Sequence, residues 1–325
     1  MAVDRSDFLS SIYKEGIFNN RVVFVTGGAG TICKVQTKAL VYLGANACIL
    51  GRNVEKTEAG AKEIAAVRNG AKVIGIGGVD VRNVRHHTQF DSLKAAADRC
   101  VKELGAIDFV IAGAAGNFVA PISGLSPNGF KSVIEIDTIG TFNTVKATAQ
   151  YLVESAARNP NPPPAGQVGT GGRILAVSAT FHYTGLPLQS HVSAAKAGVD
   201  SIMNSVSLEY GPMGVCANVI APGGIDGTEG LERLASSTAA HSEAATAAIP
   251  SGRWGTVRDI ADATVWLFSD AANYVNGHTL VVDGAAWRSP GAMAVGLDEG
   301  MQYPGFLKTG HSKNIKTGRK SESKL

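Results

Sequence analysis

Apolar residues along this chain gather in short runs rich in β-branched and aromatic side chains. Between the runs the pattern changes to the three-to-four-residue period of amphipathic helices. Seven runs read as strands: "RVVFVT" (21–26), "ACILG" (47–51), "KVIGI" (72–76), "IDFVIAG" (107–113), "RILAVS" (173–178), "VCANVI" (215–220) and "TLVVDG" (279–284). Helical segments lie between them: "VQTKALVYLG", "EKTEAGAKEIAAVR", a stretch over about 84–104 and a longer one after residue 190. In the last of these, Val192, Ala195, Val199, Ile202, Met203 and Val206 share one apolar face, and Lys196 adjoins it. Strands spaced by helices predict an α/β fold: one doubly wound Rossmann-type domain with a mostly parallel seven-stranded sheet and helices on both faces.

The alternation sets the expected boundaries. Residues 1–20 read as an N-terminal extension, 21–288 as the domain, and 289–325 as a C-terminal extension. The proline- and glycine-rich "RNPNPPPAGQVGTGG" (158–172) cannot continue a helix or a central strand, so it predicts a surface loop insertion. The Ala/Ser-rich stretch 230–250 follows the sixth strand, where a doubly wound sheet borders its ligand crevice. A lid is expected there.

Composition narrows the classes. A net charge of +3 is too mild to argue for nucleic acid. No apolar run is long enough for a membrane span, and the N-terminus does not read as a signal peptide. Cys33, Cys48, Cys100 and Cys216 lack metal-ligand or redox spacing, so reduced thiols and no metal are expected. The terminal Ser323-Lys324-Leu325 matches a tripeptide read by the peroxisomal import receptor, and the polar tail before it suits that role.

The first strand runs into "TGGAGTIC" (26–33) and then a helix. Glycines at such a turn let the backbone approach a pyrophosphate, which the helix N-terminus attracts with free amides. Gly27, Gly28, Gly30, Thr31 and Ile32 are the candidate contacts. At the end of the second strand, where an acid would select a free ribose hydroxyl, stands Arg52. A guanidinium matches a 2′-phosphate, so the expected cofactor is NADPH; a solvated surface arginine is the alternative. Asp80 could accept from the adenine amino group, and Arg82 is free to face an anionic substrate.

The order of "TGGAGTIC", "AGAAGN", "EIDTIGTFN", Ser178, "SAAKAG" and "APGGIDGTEG" resembles the short-chain dehydrogenase/reductase superfamily over about 20–288. Within it, "AAGNF", "IDTIGTFN", "SATFHYTG", "PGGIDGTEGLERL" and "VVDGAAW" resemble the peroxisomal 2,4-dienoyl-CoA reductases, the fungal form most of all. The superfamily tyrosine is replaced by Val192 and its tetrad asparagine by Asp137, while Lys196 remains. Thr31 and Cys33 stand where later glycines are usual, and Ala112 and Gly113 replace paired asparagines.

What the resemblance implies is a reaction that does without the phenol. Hydride enters C5 of a conjugated thioester, charge spreads to the thioester oxygen, and a proton reaches C2 to leave a 3-enoyl-CoA. Asp137 and Asp283 would hold a proton-donating water, Lys196 would bind the nicotinamide ribose and offset charge, and Ser178 would donate to the thioester oxygen. Asp283 could equally be a turn aspartate before Gly284. Pro222, Gly223, Ile225 and Thr228 would meet the cofactor; Phe118, Ser126, Asn128, Arg82 and Arg233 would meet the acyl-CoA substrate. For Ser126, simple helix capping is an equal reading. His182 and Tyr183 could donate a proton or line the pocket, and His191 could cap its helix or face substrate. His86 and His87 read as solvated. A homo-oligomer is implied by the resemblance alone. The alternatives are another enoyl- or carbonyl-reducing member, or an inactive NADP(H)-binding protein.

Overall fold

In the computed structural model, residues 4–82, 87–167, 169–228 and 246–289 are described, with the backbone alone over 87–91. Seven parallel strands form one sheet in the order β3-β2-β1-β4-β5-β6-β7. They are β1 (Val22–Thr26), β2 (Asn46–Leu50), β3 (Val73–Ile76), β4 (Phe109–Ala112), β5 (Arg173–Val177), β6 (Cys216–Pro222) and β7 (Thr279–Val282). The described helices of use here are α1 (Thr31–Tyr42), α2 (Val54–Ala65), α3 (His87–Leu104), α4 (Pro127–Ile134), α5 (Gly140–Arg158), α6 (Phe181–Thr184), α7 (Ser190–Tyr210) and α8 (Val257–Phe268).

The order reverses between β1 and β4, which pair side by side although two strands separate them in sequence. There the following segments diverge to opposite faces and leave a crevice at the carboxyl ends of the strands. Both faces are covered. Val23, Val25, Ile49, Phe109 and Ile111 pack under α1 and α8, while Phe24, Cys48, Val110, Ile174 and Val219 face the α3, α5 and α7 side. None of the described helices is long and apolar enough to cross a membrane.

The residues before β1 are more than an appendage. Phe8, Leu9 and Phe18 are buried in the main core. The Ser10 amide and the Tyr13 hydroxyl each donate to Asp262 of α8 at 2.9 Å. The proline-rich insertion is likewise pinned: Asn161 Nδ2 donates to the Asn273 carbonyl and the Thr170 amide to Asp270 at 3.0 Å.

Candidate active site

The crevice holds two adjoining cavities. The larger, about 740 Å³, runs from the β1–α1 turn across the ends of β2 and β3. Gly27, Gly30, Thr31, Ile32, Arg52 and Asp80 line it, with Lys56 and Thr228. Gly27 has φ +68°, a left-handed conformation suited to glycine. Gly28 contributes differently from the expected ligand contact: a Cβ there would lie 2.6 Å from Ile49 Cβ, so its lack of a side chain lets the turn sit on β2. Gly30 is the N-cap of α1 and offers no side-chain cap. The first amides of α1 are therefore open to an anionic ligand beside the cavity.

Cys33, where a glycine was the superfamily expectation, fills a gap left by another departure. A Cβ on Gly113 would come 2.1 Å from Cys33 Sγ. The thiol occupies the room that a side chain at 113 would need. Burial pushes the thiol up to about 12, so it stays protonated and unreactive.

At the far rim, Arg52 is exposed and lines the cavity, and Asn53 caps α2 by accepting the Lys56 amide at 2.7 Å. Lys56 was not singled out from sequence; its place in the first turn after Arg52 was the available signal. Arg82 is paired within its own loop: its amide, Nε and Nη2 donate to Asp80, with Nη2–Oδ2 at 2.6 Å, while its side chain stays 36% exposed. Asp80's carboxylate is already engaged. Burial opposes the charge on Asp80, but bonds from Arg82 and the nearby Arg52 charge outweigh it and hold the carboxyl below its ordinary value.

The smaller cavity, about 280 Å³, lies deeper and is lined by Asp137, Ser178, Phe181, Val192, Lys196 and the Pro222–Ile225 turn, among others. Asp137 sits in a widened helical turn, Glu135–Ile139, between α4 and α5. Such turns re-aim side chains and recur at functional sites. Asp137 is fully buried. Its Oδ1 accepts the Gly116 amide at 2.7 Å, and its Oδ2 lies 3.1 Å from Lys196 Nζ. Lys196 also donates to the Val177 carbonyl at 2.9 Å. It is buried, not a snorkelling surface lysine. Val192 is 2 % exposed and lines the same cavity, with no hydroxyl to offer.

The remaining expected contacts divide between the cavity wall and the turns around it. Asp283 accepts the Ala285 and Trp287 amides, one on each oxygen, at 2.9 and 2.8 Å. It packs behind Gly223, a residue of the inner-cavity wall, and its two oxygens serve the turn before the last short helix. Ser126 caps α4 by accepting the Gly129 amide at 3.0 Å, and Asn128 is exposed in its first turn. Phe118 stacks on His191, with ring centroids 4.3 Å apart, against the apolar cluster of Ala179, Phe181 and Val192. His191 is buried and faces the Phe118 carbonyl at 3.0 Å, so it anchors that loop and is not a helix cap. Pro222, Gly223, Ile225 and Thr228 line the inner cavity, where the Thr228 hydroxyl donates to the Ile225 carbonyl at 2.7 Å. Arg233, most of the 230–250 stretch, His86 and Ser323-Lys324-Leu325 lie outside the described residues. No cluster of metal-ligating side chains occurs among the described residues.

Comparison with known proteins fits this geometry. A family model described as enoyl-(acyl carrier protein) reductase matches residues 27–285. The Saccharomyces cerevisiae peroxisomal 2,4-dienoyl-CoA reductase SPS19, named as (3E)-enoyl-CoA-producing, is 50% identical over 276 residues, covering 85% of this chain and 87% of the relative. The Danio rerio peroxisomal 2,4-dienoyl-CoA reductase is 38% identical over 278 residues, covering 85% and 84%. Among solved structures, a gluconate 5-dehydrogenase from Burkholderia cenocepacia in complex with NADP and tartrate superposes with a TM-score of 0.71 at 27% identity, over 84% of this chain and 97% of that one.

Proposed function

This chain belongs to the short-chain dehydrogenase/reductase family, and from that premise we propose that it is a peroxisomal, NADPH-dependent 2,4-dienoyl-CoA reductase acting in the β-oxidation of unsaturated fatty acids. One arrangement carries the reading: a buried Asp137–Lys196 pair and a valine at 192 share a cavity that continues into the nucleotide crevice.

The outer cavity suits a dinucleotide. Gly27 and the uncapped α1 N-terminus would hold the pyrophosphate, and Arg52 with the nearby Lys56 would meet a 2′-phosphate. NADPH, when bound, supplies the hydride. Lys196 has three donors, of which one is given to Val177 and one faces Asp137; the third serves the nicotinamide ribose. Its charge lowers the cost of negative charge developing nearby.

The substrate makes the missing phenol dispensable. Hydride brings two electrons to C5, and conjugation carries the resulting charge to the thioester oxygen. Ser178, at the end of β5 and on the cavity wall, donates to that oxygen. Asp137 holds a water that delivers a proton to C2, giving a neutral 3-enoyl-CoA. The apolar wall of Ala179, Phe181 and Val192 takes the acyl chain. Placement in the peroxisome follows the named relatives, with Ser323-Lys324-Leu325 as the address for the import receptor. Phe142 on α5 and Leu208 on α7 are exposed apolar side chains, in keeping with a homo-oligomer packed through its long helices.

The test follows NADPH absorbance with purified protein and 2,4-hexadienoyl-CoA, a 2-enoyl-CoA and a simple ketone in parallel. Consumption with the dienoyl thioester is expected. Consumption only with the ketone would make the chain a carbonyl reductase instead.

A further inference from the structure

Two side chains at the start of α7 take no part in the chemistry above, yet they converge on one atom. Gln189, the residue before α7, and His191, in its first turn, are both fully buried. Gln189 Nε2 donates to the Phe118 carbonyl at 3.0 Å, and His191 Nε2 lies 3.0 Å from the same oxygen. A carbonyl oxygen only accepts, so His191 Nε2 carries the proton between them. Both lone pairs of that oxygen are then taken, which fixes the plane of the peptide after Phe118.

The backbone beside this clamp departs from its ordinary range. Leu188 has φ +67°, in the left-handed region that bulky residues avoid. Its carbonyl accepts the Ala120 amide at 3.1 Å, so residues 118 and 120 are both held from the 188–191 segment. The Leu188 side chain is exposed, so its own burial does not offset the strain.

The ring of Phe118 is caught as well. It stacks on His191, and its Cζ lies 3.3 Å from where a Cβ on Gly129 would stand, in the first turn of α4. Phe118 thus joins the start of α4 to the start of α7 and continues the apolar wall of Ala179, Phe181 and Val192. We propose that Gln189 and His191 are positioning residues: by clamping the Phe118 carbonyl and stacking its ring, they set how tightly the acyl-CoA thioester binds. They touch no reacting atom and act through Phe118. The inference rests on the dienoyl-CoA reductase reading, in which this wall takes the acyl chain. Asp137 is held to the same loop by the Gly116 amide at 2.7 Å, a charged bond from a separate peptide, so proton delivery does not pass through the clamp.

His191→Phe keeps a ring against Phe118 and removes one donor; Gln189→Met removes the other at nearly the same volume. With 2,4-hexadienoyl-CoA and saturating NADPH, each should raise KM about tenfold, the scale of one buried hydrogen bond. The kcat and the NADPH affinity should stay at wild-type values. His191→Gln, which returns an N–H near the place of Nε2, should recover most of the loss. Phe118→Ala should raise KM by itself, and adding Gln189→Met to it should raise KM no further. An unchanged KM in Gln189→Met, a kcat that falls as far as KM rises, or losses that multiply in the double variant would overturn the proposal while leaving the activity in place. A wild-type protein that consumes no NADPH with the dienoyl thioester would remove the underlying reading and this inference with it.

Discussion

Asp137 Oδ2 and Lys196 Nζ lie 3.1 Å apart, and neither residue is more than 6 % exposed. Taking one charge away leaves the other buried without compensation, at a cost of about 3–5 kcal/mol. Asp137→Ala should therefore unfold at lower urea. Its kcat should fall by more than its NADPH affinity, since Asp137 lines the inner cavity and not the nucleotide cavity. Unchanged kcat would remove Asp137 from proton delivery.

Val192 marks the chemistry by what it lacks. Val192→Tyr restores the phenol of the wider family at a buried position on the cavity wall. Steady-state rates with 2,4-hexadienoyl-CoA should not rise, because the proton goes to carbon from water. A large gain would mean that the absent donor had been limiting.

Arg52 separates the two nicotinamide cofactors. It is exposed at the cavity rim, so solvent screens part of its charge. Arg52→Ala should weaken NADPH binding about tenfold and leave NADH binding nearly unchanged. Equal losses for both in a fluorescence titration would remove the phosphate contact.

The seven strands and their parallel arrangement were legible because buried β-branched runs and helical periods alternate without interruption. The lysine at 196 was legible for a related reason: it adjoins an apolar helix face. Side-chain commitments across loops were not. Arg82 closes on Asp80 two residues earlier, and only the loop's path brings the two together. Asp283 turns to amides just beyond it. His182 and Tyr183 both pair with Asp200, four residues after Lys196 on a separate helix. Cys33 and Gly113 show the same limit, since each departure makes sense only beside the other.

Acid stability should report on Asp259, which accepts from Arg253 and caps α8 with Thr256. Its carboxyl is lowered from 3.8 to about 2, chiefly by the Arg253 bond, against some desolvation. A depressed carboxylate stabilises the fold above its unfolded value and loses that contribution as pH falls through the folded one. The urea midpoint of wild type should exceed that of Asp259→Asn at neutral pH. The gap should narrow between about pH 4 and about pH 2. A gap that persists unchanged at the acid end would contradict the ionised Arg253 pairing.

The central claim is that a conjugated thioester takes hydride at a distance and its proton from water. Turnover of 2,4-hexadienoyl-CoA with NADPH in deuterated water, followed by NMR of the product, tests it most directly. The account predicts a 3-enoyl-CoA with one deuterium at C2 and none at C5. A product deuterated at C5, or no product despite bound NADPH, would contradict it.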